Sequence, residues 1–316
     1  MSHFDVFNGD ADGLCALQQL RLAMPRPARL ITGVKRDNAL LARVCAQPGD
    51  SISVLDIALS HNRPALMQLL AQGVAVEYFD HHHAPDIPEH PLLHLVIDAS
   101  PSVCTSVLVD RQLHGRHRAW AVVGAFGDNL SATARELGAA LPADTLERLR
   151  QLGECLNYNG YGDTESDLLY PPADLHRLLL PYSDPLDFIA NESAVTRLAA
   201  QRNDDTARAL ALPAQFETAT AAVFALPDAA WSRRVVGSFA NRLAGGVPAR
   251  AFAVLVPNRR GTLTVSLRVP PGAVVSADAF ARRYGGDGRR IAAGIDDLPP
   301  QTADAFAADF VSAFAG

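Results

Sequence analysis

Short apolar segments alternate with helical patterns along the first 130 residues, and this alternation restricts the fold more than any other feature of the sequence. The strand-like segments are Phe4–Phe7, Arg29–Gly33, Ser51–Leu55, Val74–Phe79 and Leu93–Ile97. The helical patterns are Leu14–Met24, Pro64–Gln72, Val103–Leu113 and Ala119–Phe126. Such alternation is typical of a parallel sheet covered by helices on both faces. The sequence therefore predicts an α/β fold, in which ligands bind beyond the carboxyl ends of the strands.

The rest of the chain changes character at residues 130 and 213. Residues 130–209 are mostly helical, and Pro213 begins a second mixed pattern. In that second pattern we predict the strands Ala219–Ala225, Arg234–Val236, Ala251–Pro257 and Thr262–Val269 and the helices Ala277–Tyr284 and Ala303–Phe314. We therefore expect a larger domain over 1–190, which includes the start of a helical connector, and a smaller α/β domain over 213–316. The crevice between them is the natural place for a site.

Polar clusters follow four of the apolar segments, at the point where each segment ends. These clusters are Asn8–Gly13, Asp56, Asp80–His83 and Gly127–Asn129. Because the carboxyl ends of parallel strands meet at one edge of a sheet, we expect the clusters to converge. Carboxylates crowded together repel unless they are protonated or neutralised by cations. Asp and His suit Mn²⁺ or Mg²⁺, and a pair of such ions can activate water and bind a phosphoryl group.

Each cluster also has a purely structural interpretation when it is taken alone. Asp-x-Asp-Gly is commonly a turn, and Asp56 would serve equally as a helix N-cap. A histidine triplet is usually a solvated loop, and Asp128-Asn129 would end a helix. The functional interpretation depends on the whole ordered set.

The ordered set resembles the DHH phosphoesterase superfamily. The matching motifs are Asp10-x-Asp12-Gly13, the lone Asp56, Phe79-Asp80-His81-His82 and Gly127-Asp128-Asn129, and Ile97–Ser106 resembles the segment after the third motif. The superfamily includes nanoRNases, single-strand exonucleases, cyclic-dinucleotide phosphodiesterases and manganese pyrophosphatases. The C-terminal part resembles the DHH-associated domain, so the resemblance covers the whole chain. It implies a catalytic domain over 1–190 and a substrate-binding domain over 213–316.

The resemblance also implies a role for each acidic residue and histidine. Asp10 and Asp56 would hold one Mn²⁺ ion; the second would be held by Asp12, Asp56, His81 and Asp128, with Asp56 bridging. Catalytic His82 would contact the substrate phosphate, and Asp80 would orient the histidines. Mg²⁺ is the alternative metal. The chain departs from the family at Val6, where many members have histidine, and at Asn8, where the exonuclease branch has aspartate. Asn8 or water would then complete the coordination of the first ion.

A glycine-rich segment, Tyr284–Gly294, resembles the signature of the DHH-associated domain. Gly285, Gly286 and Gly288 would let backbone N–H groups approach a nucleotide phosphate. Arg268 and Arg289 would bind that phosphate through their charge. Asp287 replaces a family glycine and Arg289 replaces the expected histidine, so Arg289 would act as a charge clamp or stacking surface. The alternative is a plain turn before an Ala-rich helix.

Charge is distributed unevenly along the chain, whose formal net charge is −6. Residues 1–209 hold 26 acidic and 17 basic residues, and residues 210–316 hold 8 and 11. An acidic front part argues against a protein that binds long duplex DNA by counterion release. It allows small anionic substrates, because metal ions reverse the local sign of a carboxylate cluster.

The remaining sequence features point to an ordinary cytoplasmic protein. The four cysteines form no C-x-x-C pair, the N-terminus lacks a signal-peptide pattern, and no apolar run is long enough for a membrane span. Lys35 is the only lysine, which codon bias toward arginine explains most simply. The cluster Asn157–Asp163 would either contact a nucleobase or end a helix. The sequence leaves open whether the chain forms a homodimer.

We therefore expect a nanoRNase-like, metal-dependent phosphodiesterase that hydrolyses short oligonucleotides or linear dinucleotides such as pGpG and pApA. Two alternatives remain. The first is a phosphomonoesterase that acts on a small nucleotide such as 3′-phosphoadenosine 5′-phosphate. The second is a nucleotide-binding regulator whose catalysis is weakened, which the departures at Val6, Asp287 and Arg289 would favour.

Overall fold

The computed structural model describes residues 1–315. The chain forms two compact units, Met1–Ala199 and Ala200–Gly316. The division falls inside the helix Ser193–Leu210, within the predicted helical connector.

A parallel sheet of five strands forms the centre of the first unit. The strands are β1 (His3–Asn8), β2 (Arg29–Gly33), β3 (Ser51–Leu55), β4 (Ala75–Asp80) and β5 (Leu93–Ile97), in the order β2-β1-β3-β4-β5. Each neighbouring pair runs parallel. Long apolar runs without alternation suit strands that are buried on both faces, and β1 and β3 are buried along almost their whole length. The predicted α/β fold is confirmed.

Helices cover this sheet and continue to the end of the unit. They are α1 (Ala11–Ala23), α2 (Leu59–Ala71), α3 (Thr105–Gln112), α4 (Arg118–Gly127), α5 (Ser131–Leu137), α6 (Ala143–Gly160), α7 (Pro172–Leu179), α8 (Pro185–Asn191) and α9 (Ser193–Leu210). Helix α1 is buried on nearly every side, in a core that includes Phe7, Phe79 and Trp120. This packing holds the amino end of α1 directly after β1, at the carboxyl edge of the sheet.

The second unit contains a mixed sheet of six strands. The strands are β6 (Phe216–Glu217), β7 (Ala221–Ala225), β8 (Ala251–Pro257), β9 (Leu263–Arg268), β10 (Asp287–Arg289) and β11 (Ala292–Leu298), in the order β10-β11-β9-β8-β7-β6. Only β7 and β8 pair in parallel among these strands. The helices α10 (Ala230–Gly246), α11 (Ala277–Arg282) and α12 (Ala303–Ala313) complete the unit. Phe280, Phe306 and Phe310 lie at the centre of its core.

One local expectation for this unit was wrong, and so was one of the alternatives. The predicted strand Arg234–Val236 lies inside α10, where the Arg234 guanidinium donates to Asp205 from Nε (3.0 Å) and Nη2 (2.7 Å). A buried ion pair and a buried helix face outweigh the preference of valine for strands. The segment that begins at Ala292 is strand β11, not an Ala-rich helix, because it pairs with both β9 and β10.

The sequence features that bear on compartment have simple structural counterparts. Cys15, Cys104 and Cys155 are buried, and Cys45 is exposed. No helix within residues 1–315 is both long and apolar enough to cross a membrane.

Candidate metal centre

The carboxyl edge of the parallel sheet brings together side chains that are far apart in sequence. Asp56 follows β3, His81 follows β4, and Asp128 follows α4. The His81 Nε2 atom lies 3.3 Å from Asp56 Oδ1 and 3.9 Å from Asp128 Oδ2. Carboxylates and an imidazole therefore surround one small volume at this edge.

The backbone at Asp56 turns sharply to place the carboxylate there. Its φ is 60°, in the left-handed region that aspartate and asparagine tolerate better than other non-glycine residues. The Asp56 N–H donates to the Phe79 carbonyl at 3.0 Å, which ties the turn to β4. Asp56 is 2% exposed, and its side chain accepts a hydrogen bond from Thr105 Oγ1 at 3.2 Å. The left-handed turn therefore places the Asp56 carboxylate at the carboxyl edge of the sheet.

Asp10 and Asp12 combine their predicted role with helix capping. Asp10 caps α1 by accepting from the N–H groups of Asp12 (2.9 Å) and Gly13 (3.1 Å). Asp12 accepts from the N–H groups of Thr105 (2.7 Å) and Ser106 (2.8 Å) at the amino end of α3. Carboxylate oxygens have further lone pairs, so these bonds leave each side chain able to bind a cation. These bonds join Asp12 to Ile97–Ser106, a segment that the sequence resemblance also includes.

The paired histidines differ in their surroundings. Asp80 is fully buried, and its Oδ1 accepts from the His81 N–H (2.9 Å) and from His82 Nδ1 (2.6 Å). An ionised carboxylate can only accept, so His82 Nδ1 carries a proton and Nε2 is the nitrogen left for a ligand. Asp56, His81 and His82 offer ligand atoms that all lie within 4.8 Å of one another.

Burial and the closeness of several carboxylates shift the pKa values of Asp56 and His81. Burial, together with the nearby carboxylates of Asp10 and Asp12, raises the pKa of Asp56 well above its usual value. Burial alone would lower the pKa of His81, but its contact with Asp56 outweighs this and raises the pKa to about 10. Without a metal, the Asp56–His81 pair therefore keeps a proton at neutral pH. A divalent ion could replace that proton as the neutralising charge.

Lys35 lies in the same acidic site, although no motif of the sequence predicts it there. Its Nζ donates to Asp10 Oδ2, and it lies 3.3 Å from Asn157 Oδ1 and 3.7 Å from Asp128 Oδ1. Burial would raise the pKa of Asp10, but the Lys35 ammonium outweighs it and holds that pKa below its usual value. One sequence feature could have indicated this position of Lys35, because the only lysine of the sequence follows the end of β2.

The residues that depart from the family pattern have other partners. Val6 is fully buried in the core under the sheet and offers no ligand atom. Asn8 Oδ1 accepts from the Asp10 N–H (3.1 Å), and Asn8 Nδ2 donates to the Lys35 carbonyl (3.2 Å). Asn8 thus supports the segment that carries Lys35.

The donor chemistry fits a divalent ion on one side of the site. Asp56, His81 and Asp128 supply carboxylate oxygens and an imidazole nitrogen, the mixture that Mn²⁺ accepts. Burial first, and then the neighbouring carboxylates of Asp10 and Asp12, raise the pKa values of Asp56 and Asp128, so both groups are costly to ionise unless a further cation is bound. On the other side, Lys35 already neutralises Asp10.

The predicted phosphate-binding arginines share one face of the second sheet. Arg289 pairs with Ala292, and Ala292 pairs with Arg268, so the two arginines flank Ala292 on neighbouring strands. Residues directly opposite in antiparallel strands lie on the same face. Arg268 Nε donates to Asn241 Oδ1 (2.6 Å), and its Nη1 donates to Ser266 Oγ (3.1 Å). These bonds limit the rotamers of Arg268.

Glycines shape the hairpin that carries Arg289. Gly285 has a φ of 76°, and Gly288 has a φ of 155°. A Cβ on Gly286 would lie 2.2 Å from the Gly294 carbonyl oxygen, and one on Gly288 would lie 2.4 Å from Ala293 Cα. Asp287 Oδ1 lies 3.4 Å from Arg282 Nη2, so the acidic residue of the hairpin forms an ion pair with α11. The glycines are therefore needed for the hairpin itself.

Solved structures share this architecture. The chain is similar to the exonuclease RecJ bound to manganese, with 21% identity and a TM-score of 0.60 over 99% of this chain and 90% of that one. RecJ from Thermus thermophilus in complex with Mn²⁺ is 22% identical, with a TM-score of 0.65. That alignment covers 99% of this chain but only 52% of the Thermus protein.

A third similar structure is about as long as this chain. It is the pGpG-specific phosphodiesterase PggH from Vibrio cholerae, with 12% identity and a TM-score of 0.56 over 100% of this chain and 99% of that one. No family model and no curated protein matches the sequence. The structures nevertheless agree along nearly the whole length of the chain, and the chain therefore shares the fold of RecJ and PggH.

Proposed function

We propose that this protein is a divalent-metal-dependent phosphodiesterase that hydrolyses short oligonucleotides or linear dinucleotides to mononucleotides. One observation carries the proposal. Five acidic or imidazole side chains from four separate segments converge at the carboxyl edge of a parallel sheet, namely Asp10, Asp12, Asp56, His81 and Asp128. Buried carboxylates that lie close together destabilise a fold unless a cation neutralises them, so this set indicates a cation-binding site.

The similar structures support this class of reaction. RecJ is described as an exonuclease and was solved with manganese, and PggH is described as a pGpG-specific phosphodiesterase. Both act on phosphodiesters of nucleotides by those descriptions, and PggH matches this chain in length. A linear dinucleotide is therefore the first substrate to test.

The distribution of charge favours a short substrate. Residues 210–316 hold 11 basic and 8 acidic residues, whereas residues 1–209 hold 17 and 26. A long nucleic acid would need a continuous basic surface with several phosphate contacts. Arg268 and Arg289, which lie on one sheet face with Ala292 between them, would instead bind one terminal phosphate.

The proposed roles follow from the contacts of each residue. Mn²⁺, when bound by Asp56, His81 and Asp128, would supply a Lewis acid that favours attack of water on phosphorus. His82, whose side chain is 42% exposed, would present Nε2 to a phosphoryl oxygen. Asp80 would keep that ring in place through its bond to Nδ1. His82 is thus the proposed substrate contact and Asp80 a positioning residue.

A panel of synthetic substrates tests the proposal. Purified protein is incubated with Mn²⁺ or Mg²⁺ and with pGpG, pApA, a single-stranded oligonucleotide of about ten residues, or 3′-phosphoadenosine 5′-phosphate. We expect mononucleotides from the dinucleotides, a lower rate on the longer strand, and no product in the presence of a chelator. Chromatography identifies the products.

Other results of the same panel would replace the proposal. Release of inorganic phosphate from 3′-phosphoadenosine 5′-phosphate, without cleavage of dinucleotides, would make the protein a phosphomonoesterase. Binding of dinucleotides without hydrolysis under any metal condition would make it a nucleotide-binding regulator.

A further inference from the structure

Three side chains with oxygen atoms lie around the ammonium group of Lys35, which is the only lysine in the sequence. Lys35 Nζ donates to Asp10 Oδ2, and it lies 3.3 Å from Asn157 Oδ1 and 3.7 Å from Asp128 Oδ1. Oxygen donors from three separate elements would equally suit a hard divalent cation. The ammonium therefore occupies a cation position in the acidic cluster.

Hydrogen bonds to both the N–H and the carbonyl of Lys35 hold its backbone in place. The Lys35 N–H donates to the Gly160 carbonyl at 2.8 Å, and the Lys35 carbonyl accepts from Asn8 Nδ2 at 3.2 Å. The ring of Tyr161 lies 5.6 Å from Nζ, within the range of a cation–π contact. Asn157 and Tyr161 belong to the polar cluster of the connector, which the proposed function leaves without a role.

Two positions at which members of the resembling family carry histidine or aspartate offer no charged ligand in this chain. Val6 offers no donor atom and is buried, and Asn8 is neutral and uses both ends of its amide in bonds to backbone. Asp10 is left as the main anion here, and its charge is already paired with Lys35. An ion placed on the same oxygens would lie a few ångströms from an ammonium, which like-charge repulsion opposes.

We propose that Lys35 replaces one of the two divalent cations that the sequence resemblance implies, so that each chain binds a single Mn²⁺ beside Asp56, His81 and Asp128. The Lys35 ammonium then neutralises Asp10 permanently and provides a fixed positive charge beside the bound ion. This inference rests on the proposed function for the identity of the metal. It differs from that function because it concerns the number of ions.

The number and magnetic state of the bound ions test this inference. Wild-type protein and the triple variant Val6→His, Asn8→Asp, Lys35→Ala are loaded with Mn²⁺, freed of excess metal, and analysed by elemental analysis and electron paramagnetic resonance. We expect one Mn²⁺ per wild-type chain, with the hyperfine signal of an isolated ion. We expect two per chain in the triple variant, with a spectrum altered by coupling between the ions. Two coupled ions in the wild-type protein would overturn the inference.

Control variants separate this effect from a general loss of charge or of folding. Arg43→Ala removes an exposed cation that pairs with Asp37, and we expect it to keep one ion per chain. If the triple variant fails to fold by circular dichroism, Lys35→Met, which keeps the side-chain length without the charge, takes its place. We expect Lys35→Met to bind a second Mn²⁺ at raised metal concentration, and an unchanged stoichiometry in a folded Lys35→Met protein would contradict the inference.

The proposed function and this inference can fail separately. Hydrolysis of pGpG by a wild-type protein with two coupled Mn²⁺ ions would support the function and refute the role of Lys35. One isolated Mn²⁺ ion in a protein that hydrolyses none of the substrates would refute the function and support the role of Lys35.

Discussion

Asp56 is unfavourable for the stability of the metal-free chain and necessary for the proposed chemistry. It is buried close to two other carboxylates, and burial is the main reason that its pKa is raised. Asparagine keeps the acceptor for Thr105 and tolerates the φ of 60°. We therefore expect Asp56→Asn to stabilise the chelated protein by about 1–2 kcal/mol and to reduce activity at least about 100-fold.

Asp86 provides a matched control for that substitution. It also has a positive φ, of 58°, but it is exposed and lies outside the acidic cluster. Chemical denaturation and Mn²⁺ binding of Asp86→Asn should match the wild-type protein. Wild-type activity in Asp56→Asn would contradict the proposed metal centre.

Arg268 should affect substrate affinity and leave the metal unchanged. Its guanidinium is held by Asn241 and Ser266 on the face that also carries Arg289. Loss of a phosphate contact by a charged donor costs about 1.5–3 kcal/mol, so we expect Arg268→Ala to raise KM roughly 10- to 100-fold. Steady-state kinetics on pGpG measures this change. Arg260→Ala, which removes an exposed arginine paired with Asp297, is the control, and equal effects of the two variants would argue against a specific role.

His176 makes stability depend on pH. It is 1% exposed beside Phe7, and burial lowers its pKa to about 4. Between pH 6.5 and 4 the unfolded chain binds a proton at this position that the folded chain does not, so stability falls as pH falls. We expect this one group to cost about 2 kcal/mol between about pH 7 and about pH 5.

The variant His176→Leu isolates that contribution. Denaturation of the wild-type protein and the variant at both pH values should show that the variant loses less stability on acidification. His61→Leu, at an exposed position on α2, should keep the wild-type dependence. An equal loss in all three proteins would assign the pH dependence to other groups.

At the scale of elements, the hairpin β10–β11 depends on glycine. Gly288 has a φ of 155°, and a Cβ there would lie 2.4 Å from Ala293 Cα. We expect Gly288→Ala to destabilise the protein by about 1–3 kcal/mol and to raise KM for a dinucleotide, because the hairpin carries Arg289. Gly272→Ala, where no atom lies within 4 Å of the added Cβ, should be neutral in both measurements. A neutral Gly288→Ala would show that the hairpin adapts.

The elements of the first unit could be predicted closely, whereas some of those in the second could not. Strands β2, β3 and β5 have the predicted bounds because each is a short apolar run between polar segments. The segment Arg234–Val236 has the same local pattern but lies in α10, where Asp205 binds Arg234. A partner about thirty positions away along the chain does not enter a local hydrophobic pattern.

At the scale of the whole molecule, the metal should stabilise one unit directly. The proposed ligands Asp56, His81 and Asp128 all lie in Met1–Ala199. Binding at about 100 times the dissociation constant adds about 2.7 kcal/mol to the stability of the state that binds. We expect Mn²⁺ to slow hydrogen exchange in β3, β4 and α4 more than in β8 and β9. Mass spectrometry with and without chelator measures this difference, and slower exchange confined to Ala200–Gly316 would contradict the assignment.

The sequence by itself determined the parallel sheet and the order in which acidic residues reach its carboxyl edge. It could do so because burial on both faces and the turn at each strand end are properties of consecutive residues. Only the tertiary structure decided which cation neutralises Asp10 and which arginines share a face. Lys35 reaches Asp10 because β2 pairs with β1, and Arg268 aligns with Arg289 because β11 lies between β9 and β10. Strand order and register are set by contacts between distant segments, so the pattern along a single segment does not contain them.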